Sequence, residues 1–194
     1  TVIAVFMGGL ALGSWIFGKI ADSSDRLLRL YIFIELGIAL SGLTISLFLL
    51  PVLDNVYIFF HGLGWGAGTT LFLVRFTLSV LIMLVPTILM GGTLPVIGRY
   101  LVRSQSELGA RIGTLYGMNT MGAVIGAFAC GFWLIAIFGE TGTILIAVSC
   151  NLSAGLLAFW ASRADKRKAA GAAKKEKAFR ASVYPESRLD LVPL

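Results

Sequence analysis

The sequence predicts an all-α, polytopic transmembrane helical bundle, and three observations carry that prediction. The 194 residues are 57% hydrophobic and 13% charged, against roughly 25% charged residues in soluble domains. Mean hydropathy is +0.88. The apolar residues fall into runs of about 20, the length a helix needs to cross a ~30 Å hydrocarbon core.

Five such runs are present: residues 1–20, 30–50, 71–90, 109–138 and 143–160. In lipid an open-ended strand leaves backbone groups unsatisfied, so each run is expected to be a helix. The first opens the chain at Thr1, already apolar and without a charged flank, so it does not read as a signal peptide. This start in mid-run points to a segment upstream. The second ends at Pro51. The third is followed by Met90-Gly91-Gly92 between Pro86 and Pro95, which predicts a kinked or broken helix end. Ser104 and Glu107 have capping-box spacing before the fourth. Residues 139–142, bounded by Gly139 and Gly142, predict a tight turn into the fifth. The division is therefore a helical bundle over residues 1–161 and a basic tail over 162–194.

Orientation follows from the basic residues. Lys19, Arg26 and Arg29 flank the first connection, and Arg99, Arg103 and Arg111 flank the third. Nine of the sixteen Lys and Arg lie from Arg163 onward, and the second and fourth connections have none. The positive-inside rule puts the first and third connections and the tail in the cytoplasm; Arg75 is the exception. The expected location is the cytoplasmic (inner) membrane of a bacterium.

Net charge is +6, which in a soluble protein suggests nucleic acid. Here the charge flanks lipid-soluble segments, so anionic membrane lipid is the expected partner and nucleic acid is not. Lys166, Arg167, Lys168, Lys174, Lys175 and Lys177 form the lipid-facing part of the tail. That tail reads equally as a helix extension, a linker or a lipid-bound arm.

Small residues recur four apart: Gly9 and Gly13, Gly113 and Gly117, Gly122 and Gly126. This spacing lets helix backbones approach closely in lipid. Bundle packing is the ordinary explanation; contact with another subunit or a sliding surface is the sharper one. Two ionisable residues, Glu35 and Arg75, fall inside spans, and Asn119 adds an amide in the fourth. Such groups are costly in hydrocarbon and are paired or functional. Glu35 and Arg75 differ by roughly 16 Å in depth, too far for a salt bridge. Arg75 is expected to snorkel outward toward Asp54 or Glu140, Glu35 to reach Arg29 or the cytoplasmic boundary, and Asn119 to bond another helix.

Gly62, Gly64, Gly66 and Gly68 lack the Lys-Ser/Thr and the strand–turn–helix frame of a phosphate loop. They read as an outer loop, and His61, the single histidine, as an interfacial contact. Cys130 and Cys150 sit in apolar runs and read as small buried hydrophobes. No nucleophile–base set and no metal spacing appears, so no catalytic residue, cofactor or metal is expected.

Residues 18–30, GKIADSSDRLLRL, resemble the cytoplasmic loop signature of major facilitator transporters, G-x-L-A-D-R-x-G-R-R-x-x-L. Gly18, Ala21, Asp22, Arg26 and Leu30 match; Asp25 stands where that family has Gly. The resemblance implies gating roles for Asp22 and Arg26. A longer series covers residues 4–160: FMGGLALGS at 6–14, Leu30-Tyr31 with ELGI at 35–38, PTILMGGTLP at 86–95, and LYGMNTMGAVIGA at 115–127. In this order it is similar to the membrane module of spermidine-synthase-like integral membrane proteins. That resemblance implies one further helix upstream. In that family a cytoplasmic aminopropyltransferase-like domain often follows, but its glycine-rich, acidic cofactor motif is not in these 194 residues. No enzyme activity carries over.

Two functions are expected on this reading. One is a non-catalytic membrane subunit or anchor, packing against other membrane subunits or a second copy. The other is half of a facilitator-like transporter of a small solute such as a polyamine, with Glu35 and Asn119 on its pathway.

Overall fold

The computed structural model describes residues 2–49, 55, 58–59, 69–102 and 108–183. They form α1 (Val2–Asp22), α2 (Leu27–Thr44), α3 (Thr69–Leu101), α4 (Leu108–Ala129) and α5 (Ile135–Val183). A π-helical turn, Ile45–Leu49, extends α2, and a second, Cys130–Leu134, joins α4 to α5. No strand occurs among the described residues. The glycine series at Gly62–68 with His61, and the Ser104–Glu107 box, lie outside them, as do the side chains of Arg75 and Lys177.

Four stretches among the described residues are long and apolar enough to cross a membrane: Val2–Asp22, Leu27–Phe48, Phe76–Leu101 and Leu108–Glu176. The sequence predicts five, because it divides the last stretch at a four-residue turn. The chain needs only one residue there. Gly139 takes φ 68° and ψ −178°, a region open essentially to glycine. Helix resumes at once, and Thr143 Oγ1 donates to the Gly139 carbonyl across the kink (2.8 Å). Gly139→Ala is expected to destabilise the fold by about 1–3 kcal/mol, read as a lower thermal midpoint in detergent. An unchanged midpoint would show that the kink relaxes without cost.

At the prolines the break that the sequence allows is not taken: α3 runs through both Pro86 and Pro95. Proline removes one backbone donor, so Pro86 and Pro95 leave the Ile82 and Gly91 carbonyls without their usual i+4 partners; the nearby hydroxyls bond other carbonyls of the same turns. Thr87 Oγ1 donates to the Met83 carbonyl (2.7 Å) and approaches that of Leu84 (3.1 Å), while Thr93 Oγ1 donates to Met90 (2.8 Å). The tail begins as a helix extension, one of the forms the sequence allows: α5 continues past the 161/162 composition boundary to Val183. Its Ala- and Lys-rich sequence is made of strong helix formers.

The helices pack in the order α1, α3, α2, α5. At the centre are Ala21, Ile34, Ile38 and the wholly buried Val96, surrounded by Phe17, Leu30, Tyr31 and Leu89. Between α1 and α3 the backbones nearly touch. Gly9 faces Thr87, Gly13 faces the Ile88 carbonyl, Gly91 faces the Leu10 backbone and Gly92 faces the Phe17 ring. Each missing side chain lets more atoms reach van der Waals distance, which is the main attraction between helices in lipid. α4 stands apart. None of its residues is buried, and it meets the end of α3 where Gly98 lies near Ile112 and Leu115.

Candidate functional site

Among the described residues, an ion pair and a side-chain hydrogen bond between helices gather at one end of the bundle. There α1 ends, α2 begins, α3 ends and α5 emerges from its apolar stretch. The short connection between α1 and α2 is held locally. Ser23 Oγ donates to the Lys19 and Ile20 carbonyls (3.2 Å each), and the Arg26 N–H donates to Ser24 Oγ (3.3 Å). The facilitator-like residues all lie here. Gly18 lies against Pro95, at 4.0 Å from where a Cβ would stand. Asp22 pairs with Arg99 of α3 at 3.6 Å. Both partners are largely exposed, so the pair contributes less than about 1 kcal/mol; it links the two helix ends rather than clamping them.

Arg26 lines a cavity of about 210 Å³ with Arg29, Tyr100 and Lys166. On its other wall Tyr100 donates its hydroxyl to Asp165 Oδ2 at 2.7 Å, a half-buried bond joining α3 to α5. Sequence reasoning missed this pair. A signal was present: Asp165 is the single acid within the basic run 163–168, and an acid kept there has a specific partner to meet.

Cationic side chains mark the same level. The Lys19 ammonium lies 4.0 Å from the Trp15 ring centre, and the Arg163 guanidinium 4.8 Å from that of Phe159. Amphipathic contacts of this kind sit where hydrocarbon gives way to water. Beyond them Lys166, Arg167, Lys168, Lys174 and Lys175 are exposed on α5.

The intramembrane polar residues are dispersed. Glu35 is 5% exposed. It lies against Gly155 of α5, whose Cβ would stand 3.6 Å from its own. Among the described residues no ion pair joins Glu35 to Arg29, one of the two destinations the sequence suggests; Tyr31 stands one turn before it on α2. The carboxyl faces inward between α2 and α5, whereas Arg29 is exposed at the cavity. Asn119 is exposed on α4 and is not brought near Glu35. The expected helix–helix bond of Asn119 is not formed within the described residues.

The glycine pairs divide in the same way. Gly9 and Gly13 are buried against α3, whereas Gly113, Gly117, Gly122 and Gly126 have nothing within 4 Å of a Cβ built on them. Cys130 and Cys150 are free thiols, half-buried and exposed respectively. Among the described residues no group of three His, Cys, Asp or Glu is placed to hold a metal. Comparison with protein-family models, curated proteins and solved structures finds no match to this chain.

Proposed function

We propose that this chain is a non-catalytic integral membrane subunit or anchor whose fourth helix docks against another membrane protein. The observation supporting this is α4, an apolar helix of 22 residues with no buried residue. Gly9 and Gly13 of α1 and Gly91 and Gly92 of α3 meet a neighbouring helix, whereas Gly113, Gly117, Gly122 and Gly126 of α4 meet none. On α4, Asn119, Gly122 and Gly126 stand at i, i+3 and i+7, which places them on one helix face. A bare amide in hydrocarbon lacks hydrogen-bond partners, and a glycine groove forgoes packing until a helix fills it. Both deficits are offset by one partner helix. The resemblance to the membrane module of spermidine-synthase-like proteins is compatible with this role, and the basic extension of α5 would lie against anionic lipid.

Native mass spectrometry of the protein, extracted from its own membranes in mild detergent, tests the proposal. The expected result is a stoichiometric complex with other polypeptides. A chain found alone, or only paired with itself, would count against the subunit reading. It would favour the half-transporter reading, in which Asp22 and Arg26 gate a pathway for a small solute.

A further inference from the structure

We infer that the cavity at the start of α2 binds the phosphate group of an anionic membrane phospholipid. Arg26, Arg29 and Lys166 supply three cations to its wall. Asp165 is engaged by the Tyr100 hydroxyl at 2.7 Å, which draws part of its acceptor capacity away from the basic side chains. Asp25 is the remaining carboxylate, and it is exposed. Leu27 and Leu28 complete the wall with apolar surface. The site thus offers charge for a phosphate and an apolar flank for the glycerol end of an acyl chain.

Backbone geometry adds to the charge. Arg26 caps α2 without a side-chain hydrogen bond, and the first turn has no acidic residue. The positive end of the α2 dipole therefore faces the cavity without a side-chain counter-charge in its first turn. A volume of about 210 Å³ is far above the ~10–15 Å³ that one water requires by such a measure, so a phosphate fits with room for its ester substituent.

Position decides between lipid and soluble phosphate. Trp160 is 67% exposed on α5, five residues before Asp165. Exposed tryptophan on a membrane helix marks the headgroup level. Lys166 lies about 9 Å further along the helix at 1.5 Å per residue, where lipid phosphates lie. Basic pockets between helices at this level are suited to anionic headgroups.

The test is a titration of the 194-residue chain in detergent with phosphatidylglycerol or phosphatidylcholine, with bound lipid counted by native mass spectrometry. Phosphatidylglycerol should bind the unmodified chain more tightly. Arg26→Gln with Arg29→Gln should weaken that binding about tenfold or more, a change of 1.4 kcal/mol per tenfold. Lys174→Gln with Lys175→Gln removes the same charge from the lipid-facing tail and should weaken it clearly less, by about twofold to threefold. Both arginines are exposed, so folding should survive; Lys166→Gln gives a second arm with the same expected direction. Equal losses from the cavity and tail variants overturn the site, because charge alone would then account for binding. Equal affinity for the two lipids overturns it as well. Binding of inorganic phosphate that depends on Arg26 and Arg29, without dependence of phosphatidylglycerol on them, overturns the lipid assignment.

Discussion

Gly13→Ala should destabilise the folded chain by about 3 kcal/mol, the upper part of the usual range for overpacking, while Gly8→Ala should leave it unchanged or slightly more stable. A Cβ at position 13 would stand 2.7 Å from the Ile88 carbonyl carbon and closer still to its oxygen. These are backbone atoms of α3, so no side-chain rotation makes room. The helices must separate, and Gly91 against the Leu10 backbone and Gly92 against Phe17 separate with them. Position 8 has nothing within 4 Å, and alanine is the better helix former by roughly 0.5–1 kcal/mol. The two substitutions have the same chemistry, five residues apart on α1, and differ only in what the methyl group meets. Reversible unfolding in mixed micelles of both variants measures the difference. If Gly13→Ala proves no worse than Gly8→Ala, then α1 and α3 do not pack as described.

That contrast also explains how much of the fold could be read from the chain. Apolar run length identifies membrane helices because hydrocarbon thickness is fixed, and α1 and α2 lie within a few residues of the expected 1–20 and 30–50. Small residues four apart identified the face of α1 that α3 covers. The same spacing on α4 has no partner in this chain, so spacing alone does not tell an internal contact from an external one. Glu35 was misdirected for a related reason. A helix apolar on every side has no polar face to mark its orientation, so nothing in α2 distinguishes a carboxyl turned to Arg29 from one turned to Gly155. Tyr100 and Asp165 are 65 residues apart, and neither has a spacing that signals the other. Proline marks where a helix bends or stops without saying which, and α3 continues through both.

Gly122→Leu with Gly126→Leu should abolish association with a partner subunit while leaving the chain's own stability within about 0.5 kcal/mol, the range of substitutions that touch nothing. Neither position has an atom within 4 Å of a built Cβ, and none of α4 is buried. The internal packing of α1, α3, α2 and α5 therefore has no stake in these residues. A partner helix does. It must enter the shallow groove that two glycines one turn apart create, and reach the Asn119 amide on the same face. Two leucines fill the groove and hold the helices apart by several ångströms, the difference between close small-residue crossings and the 8–10 Å of ordinary helix pairs. Loss of co-extracted polypeptide, with an unfolding midpoint like that of the unmodified chain, is the expected pair of results. Loss of both together would mean that α4 contributes to the fold itself. Retention of the partner by the double variant would move docking to another surface and leave α4 facing only lipid.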